Sequence, residues 1–471
     1  METLQCQPDT TLAKVRHRTE ADEQSGVACG MEPHAEDLAG DRAEPVAESA
    51  TVPPASQSWL SKLGPGLITG AADDDPSGIA TYSQAGAQFG FSLLWTMLLT
   101  FPLMAGIQII SARIGRVSGR GLATNIRRHC QPWLLYSIVV LLLVANTINI
   151  AADIAAMGDA VQLIAGGRPQ WYALGFGLLS LALQVFIPYR RYVNILKWLT
   201  LALLAYVATA LAVKVPWSQV LHATLVPHLS WQPEYLTAIV AVFGTTISPY
   251  LFFWQASQEV EELRADPTAE ALKKAPEQVP QQYERIRLDT VVGMGFSNLV
   301  AFSIMLTTAV TLYAHGITDI ESSAQAASAL KPIAGEAAFL LFTLGIVGTG
   351  LLAIPVLAGS AAYAIAGTFK WTNSLELQFS AARKFYAIII ASTAAGVGIG
   401  FLPIDPMKAL FWSAVVNGVI AVPVMVVMML LASKPEVMGG LPISRRLKLL
   451  GWACTGVMAL AVAAMFATMA K

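Results

Sequence analysis

The chain has 471 residues, of which 55% are hydrophobic and only 13% charged, with a net charge of -1 and a mean hydropathy of +0.55. Soluble domains carry about 25% charged residues, so this composition excludes a soluble single domain and a disordered chain. The near-zero net charge offers no basic surface for nucleic acid. What remains is a polytopic membrane protein built around long apolar runs.

Residues 1–58 open the chain with Glu20, Asp22, Glu23, Glu32, Glu36, Asp37, Asp41, Glu44 and Glu48 among Ala, Pro and Ser. That stretch buries too little apolar surface to offset chain entropy and is expected to be a disordered acidic tail. It has no apolar core behind a basic start, so it is not read as a signal peptide. From 59 to 471 the chain reads as one membrane domain. Segments of about 20 apolar residues fall at Leu67–Ala85, Leu93–Ala112, Leu134–Ile164, Tyr172–Phe186, Leu196–Val213 and Leu236–Gln255. Five more follow at Val291–Ala314, Ala337–Ala366, Tyr386–Phe401, Ala409–Leu431 and Leu449–Ala467. The all-α architecture predicted is therefore about eleven transmembrane helices.

The basic residues sort by loop. Arg113, Arg116, Arg120, Arg127 and Arg128 follow the second span, and Arg190, Arg191 and Lys197 follow the fourth. Arg264, Lys273, Lys274, Arg285 and Arg287 follow the sixth, Lys370, Arg383 and Lys384 the eighth, and Lys434, Arg445, Arg446 and Lys448 the tenth. Alternate loops hold only Arg168, Lys214, Lys331 and Lys408. The positive-inside rule then predicts a cytoplasmic N-terminus and an external C-terminus, in what is expected to be a bacterial inner membrane. Trp217, Trp231 and Tyr235 flank the fifth and sixth spans and are expected to be interfacial anchors. Cys6, Cys29, Cys130 and Cys454 are scattered without disulfide or zinc-site spacing.

Two spans are interrupted. The first reads Gly64-Pro65-Gly66 and then Asp73-Asp74-Asp75-Pro76-Ser77-Gly78; the sixth reads Gly244-Thr245-Thr246-Ile247-Ser248-Pro249-Tyr250. Proline removes a backbone donor and breaks the helix. Non-helical backbone at membrane depth is tolerated only where it is buried or lines a wet cavity. A single proline break is usually a structural kink. Two breaks at matched positions, one carrying three carboxylates, instead mark an inverted-repeat transporter with a midplane site. A carboxylate at the bilayer centre costs about 2.5–3.5 kcal/mol on insertion scales, and three adjacent ones call for a positive ligand or a wet vestibule. Asp75, at the break itself, is read as a ligand; Asp73 and Asp74 read equally well as vestibule lining.

Gly64-Pro65-Gly66, Asp75-Pro76-Ser77-Gly78, Ala80-Thr81 and Gln84-Ala85-Gly86-Ala87 together resemble the first helix of the Nramp divalent-metal transporters, whose signature is Asp-Pro-Gly-Asn. The resemblance runs through nearly everything after the tail. It implies a LeuT-like five-plus-five inverted repeat, with repeats at about 64–215 and 234–432 and an extra helix at about 447–470. It also implies Asp75 as the anionic metal ligand and Ala72 as a carbonyl ligand. The family's ligand Asn falls on Gly78, its Met-Pro-His on Ser248-Pro249-Tyr250, and its carbonyl-donating small residue on Thr245. Asp153 matches one acid of the family's proton relay, while the second position is Ala156.

Losing a thioether and an amide while keeping carboxylates and hydroxyls favours hard, oxygen-seeking cations. The pattern resembles the Nramp-related magnesium transporters as much as the manganese and iron members, and Ala156 weakens the expectation of proton coupling. Gln255 and Glu259 share a helix face. They could guide a cation inward, although a helix-terminal Glu is more often simply solvated. Asn146 and Asn149 are read first as helix-to-helix glue and second as vestibule. Asn417 stands near the family's polar tenth-helix ligand, and Gly345, Gly348 and Gly350 are expected at close helix contacts. No nucleotide loop, zinc-protease helix or nucleophile elbow is present. The leading expectation is thus a secondary transporter moving manganese, magnesium or iron by alternating access, not an enzyme and with no cofactor. The alternative is a sodium-coupled organic-solute symporter on the same fold. The expected partners are the lipid bilayer and the divalent metal ion, with proton movement left open and neither nucleic acid nor an obligate protein partner implied.

Overall fold

The computed structural model describes residues 69–70, 72–189, 191, 193, 200–402 and 405–470, all helix and connecting loop with no strand among the described residues. The acidic tail, Gly64-Pro65-Gly66, Cys6 and Cys29 lie outside them. The chain divides into Met1–Ala50 and Thr51–Lys471, and everything below concerns the second unit.

After the helical residues Thr69, Gly70, Ala72 and Asp73, the principal helices are α1 (Pro76–Phe89), α2 (Trp95–Ser118), α3 (Leu122–His129), α4 (Pro132–Ala165) and α5 (Pro169–Phe186). Next come α6 (Leu204–Ala212), α7 (Trp217–Leu225), α8 (Pro233–Thr246), α9 (Pro249–Ala265) and α10 (Val279–Thr311). The last four are α11 (Ala338–Phe369), α12 (Arg383–Ile399), α13 (Pro406–Ala432) and α14 (Arg445–Met469). Proline at the first helical turn starts many of them, where its missing N–H would be unpaired anyway. At α13 the Asp405 carboxylate also accepts from the Met407 and Lys408 N–H groups, relieving two of the four donors a helix start leaves over.

Seven helical stretches among the described residues are long and apolar enough to cross a membrane: α2, α4, α8 with α9, α10, α11, α13 and α14. The other four expected spans lie on helices that are broken, shorter or more polar. The first is cut at Asp74-Asp75; α5 carries Gln170 and Gln184; the fifth is described only from Thr200, where a short helical turn leads into the 9 residues of α6; and α12 has 17 residues. The chain after α6 also turns through 117° into the exposed α7. This is an integral membrane protein.

The two broken helices sit innermost. In the sixth span the most apolar window is 100% buried. α1 packs on α10, α13, α8 and α4; α9 packs on α2 and α11; α4 is held between α11, α13, α12 and α5. Small residues permit these approaches. A Cβ at Gly244 would stand 2.1 Å from the Ala414 carbonyl oxygen, so α8 and α13 meet almost backbone to backbone. At Gly350 the same atom would stand 2.5 Å from Met157 Sδ, and at Gly345 3.2 Å from a Leu203 methyl, as expected of close-contact glycines. Tyr235 corrects an expectation. Trp217 and Trp231 are exposed, but Tyr235 is buried, donating to the Ser92 carbonyl at 3.0 Å and to that of His228. Its hydroxyl ties loops together instead of meeting the membrane surface.

Candidate metal site

The site begins at the break before α1. Pro76 cannot donate, and Asp75 adopts extended backbone (φ -66°, ψ 171°) and caps the helix with its own carboxylate. Oδ1 accepts from the Gly78 N–H at 2.8 Å and from Ser77 Oγ at 2.5 Å. Oδ2 faces the other way, accepting from Asn149 Nδ2 on α4 at 3.0 Å and from Tyr250 Oη on α9 at 3.3 Å. The same tyrosine hydroxyl lies 3.3 Å from the Ala72 carbonyl oxygen. Ala72 and Asp75, named separately from the sequence, therefore converge on one hydroxyl.

Asn149 extends the site. Its Nδ2 also lies 3.2 Å from Asp153 Oδ2, and its Oδ1 accepts from Asn417 Nδ2 of α13 at 3.3 Å. Asp75, Asn149, Asp153 and Asn417 are all fully or almost fully buried. Asp153 Oδ1 and Asn417 Oδ1 have no hydrogen-bond partner. Asn149, read first as packing glue, is the hub that joins α4 to the start of α1 and to α13. Asn146 does behave as glue, donating to the Leu357 carbonyl and Ser360 Oγ on α11, each at 2.8 Å.

The sixth span contributes its own break. α8 stops at Thr246, and Pro249 restarts the chain as α9. Ser248 Oγ lies 2.9 Å from both the Gly244 and the Thr245 carbonyl oxygens and its single proton serves one of them at a time, which leaves each carbonyl a lone pair. Thr245 borders Gly78: a Cβ at Gly78 would lie 3.1 Å from Thr245 Oγ1. The carbonyl-bearing end of α8, at Thr245, and the Ala72 carbonyl among the helical residues before the first break thus flank the site, and the C-terminal end of a helix favours cations.

Asp73 and Asp74 form a second carboxylate pair facing α10. Ser297 Oγ lies 2.8 Å from Asp73 Oδ2 and 3.1 Å from Asp74 Oδ1. Its single proton serves one of them at a time. Asp73 Oδ1 and Asp74 Oδ2 have no partner. Ser297 carried no sequence signal, because only the packing of α10 on α1 brings it there. Ser77 did have one, standing two residues after an N-capping acid. No group of three or more His, Cys, Asp or Glu side chains able to hold a metal forms among the described residues. The ion pairs found there leave these carboxylates untouched. Buried carboxylates without a positive partner are costly, so the arrangement suits a cation held by mixed oxygen donors.

Along α9 the expected path residues separate. Gln255 accepts from Thr69 Oγ1 at 2.5 Å, while its Nε2 is unpartnered. Glu259 is wholly buried and paired with Arg285 of α10 at 2.5 Å, so the reading of a solvated helix-end Glu is corrected. Glu261 is likewise anchored, accepting from Tyr363 Oη at 3.1 Å and Ser374 Oγ at 2.7 Å.

Residues 66–468 match the family described as Nramp, natural resistance-associated macrophage protein-like. The chain belongs to the Nramp family. It is 26% identical over 400 residues to a divalent metal cation transporter, MntH, of Deinococcus radiodurans, covering 83% of this chain and 86% of that protein. Among solved structures it resembles the manganese transporter of Eremococcus coleocola bound to an aromatic bis-isothiourea substituted compound. There the TM-score is 0.68 at 19% identity, covering 87% of each chain. It also resembles MhsT in complex with L-phenylalanine, with a TM-score of 0.54 at 14% identity, over 88% of this chain and 100% of that one. At those identities the structural likeness establishes the fold, the LeuT-like arrangement expected of an Nramp protein.

Proposed function

We infer that this Nramp chain is a secondary transporter that carries a divalent metal cation across the membrane by alternating access. Family membership places it among transporters and not enzymes. The carrying observation is the convergence of Asp75 Oδ2 and the Ala72 carbonyl on the Tyr250 hydroxyl at 3.3 Å each, at the break of a buried helix. Tyr250 Oη and Asn149 Nδ2 occupy the oxygen of Asp75 that an arriving ion would take. Entry of the ion would release both donors, and the Asn149 amide already has Asp153 within 3.2 Å as its next acceptor. Asn149 would thereby relay the state of the metal site to Asp153.

The ligand set we propose is Asp75, the Ala72 and Thr245 carbonyls and the oxygen of Asn417, with Gly78 and Ser248 leaving room for retained water. Carboxylate, carbonyl and amide oxygens suit hard cations, and magnesium keeps several waters beside one or two carboxylates. We therefore place magnesium and manganese ahead of softer ions, and place this chain near the magnesium-transporting branch of the family. With Ala156 at the second relay position, proton coupling is weak. The excess of Lys and Arg in alternate loops supports a cytoplasmic N-terminus and an external C-terminus, and the MntH relative of Deinococcus radiodurans supports a bacterial inner membrane. The repeats run over about 64–215 and 234–432.

The organic-solute alternative is disfavoured, because four buried acids, Asp73, Asp74, Asp75 and Asp153, would repel a substrate carboxylate. Uptake into liposomes separates the two readings. Manganese or magnesium should accumulate and an amino acid should not. Amino-acid uptake without metal uptake would reject the metal reading.

A further inference from the structure

Away from the metal site, an open cavity of about 820 Å³ lies between the start of α4 and the end of α13, lined by Arg128, His129, Pro132, Lys434 and Glu436 among others. Lys434 Nζ donates to the His129 carbonyl at 2.5 Å, tying its two walls together. The positive charge here is concentrated. Burial first, then Lys434, and after the opposing Glu436 also Arg128 and Arg120, hold the proton affinity of the His129 imidazole below the usual value. Burial, followed by Arg120, Arg128 and Lys274, does the same to the Lys273 ammonium. Glu436 is the acidic residue in the cavity wall. Two cations, Arg128 and Lys434, and one carboxylate, Glu436, line the hollow, and Arg120 and Lys273 act from nearby, so positive charge is in excess and the hollow is matched to an anion.

The membrane decides which anion. Both walls are ends of helices long and apolar enough to cross a membrane, Pro132–Ala165 and Pro406–Ala432, and the end of a span is where a bilayer surface is expected. Trp133, next to the lining Pro132, is 65% exposed, in keeping with the aromatic belt at headgroup depth. From it Tyr136, Val140 and Val144 continue as exposed side chains down α4 at helical spacing, and Leu430 is exposed on α13 one turn before Lys434. A basic pocket opening onto an apolar stripe has the two parts that a lipid headgroup and its acyl chain require.

We propose that this cavity binds the phosphate of an anionic phospholipid in the leaflet facing the basic loops, with the acyl chain along the exposed face of α4. Arg128 and Lys434 are the phosphate-holding residues, and Trp133 fixes the depth. A free phosphate would use the same cations but gain nothing from the stripe.

The test is native mass spectrometry of the purified full-length chain titrated with phosphatidylglycerol, with phosphatidylcholine as the neutral counterpart. The wild type should prefer phosphatidylglycerol. Arg128→Gln with Lys434→Gln should weaken that lipid about thirtyfold, and Arg128→Gln alone about fivefold. Phosphatidylcholine binding should be unchanged. Arg128 is exposed, so its single variant keeps the fold if the double variant does not. Arg445→Gln with Arg446→Gln, an exposed pair on α14, should leave the preference intact. The proposal is overturned if the two lipids bind alike or if Arg128→Gln has no effect. It is equally overturned if the α14 pair matters as much, or if millimolar inorganic phosphate displaces phosphatidylglycerol.

Discussion

Replacing Asp75 by Asn isolates charge from shape at the proposed metal ligand. Asn is as good an N-cap as Asp, so its oxygen can still accept from the Gly78 N–H and Ser77 Oγ, now at 2.8 and 2.5 Å. Helix α1 should therefore start where it does in the wild type. On the other side the new amide faces Asn149 Nδ2, at 3.0 Å from the present Oδ2, and two N–H donors cannot pair. Asn149 then turns wholly to Asp153, while Tyr250 can rotate its proton and accept. The structural cost is one hydrogen bond, about 1 kcal/mol. The functional cost is larger, because the negative charge that offsets ion dehydration is gone. Removing one partner of a buried charge pair costs about 3–5 kcal/mol, or two to nearly four decades in affinity. Uptake into liposomes at equal protein load should fall to background, with elution profile and melting temperature close to wild type. Asp73→Asn and Asp74→Asn, which share Ser297 and lie outside the Asp75 network, should retain most uptake. Comparable uptake by Asp75→Asn and wild type would refute the reasoning.

Three further outcomes follow from the same geometry. Ser248→Met with Gly78→Asn should raise cadmium uptake relative to magnesium at least about tenfold by adding soft and amide donors; a Cβ at 78 meets Thr245 Oγ1 at 3.1 Å and the Tyr82 ring at 3.3 Å, so each must give by a few tenths of an ångström. An unchanged ratio would move the ion away from these positions. Metal uptake should respond weakly to an imposed proton gradient, since Asp153 has no second relay acid at Ala156; strong lumen acidification coincident with metal entry would contradict this. Arg285→Gln leaves Glu259 buried and unpaired and should destabilise the detergent-solubilised protein by about 3–5 kcal/mol, with Glu259→Gln/Arg285→Gln recovering most of it; a single variant as stable as wild type would show that the pair contributes little.

What the sequence made legible was whatever local chemistry dictates. Apolar runs long enough to span announced α2, α4, α10, α11, α13 and α14, and Asp75-Pro76 and Ser248-Pro249 announced both breaks because proline acts on its own turn. Tertiary packing decided the remainder. Asn149 and Asn146 are the same residue type three positions apart on one helix, yet one meets Asp75 and the other α11. Nothing in their local sequence separates them. Glu259 looked solvated because its partner, Arg285, comes 26 residues later on α10. Ser297 acquired its place only through the packing of α10 against α1.

The central claim, a divalent cation held by hard oxygen donors at Asp75, is tested most directly by competition for manganese uptake in liposomes containing the wild-type chain. Magnesium, calcium and cadmium would each be titrated against a fixed manganese concentration. The account predicts that magnesium inhibits at concentrations comparable to manganese itself and that cadmium competes no better. Cadmium blocking uptake at far lower concentrations, with magnesium without effect, would contradict it.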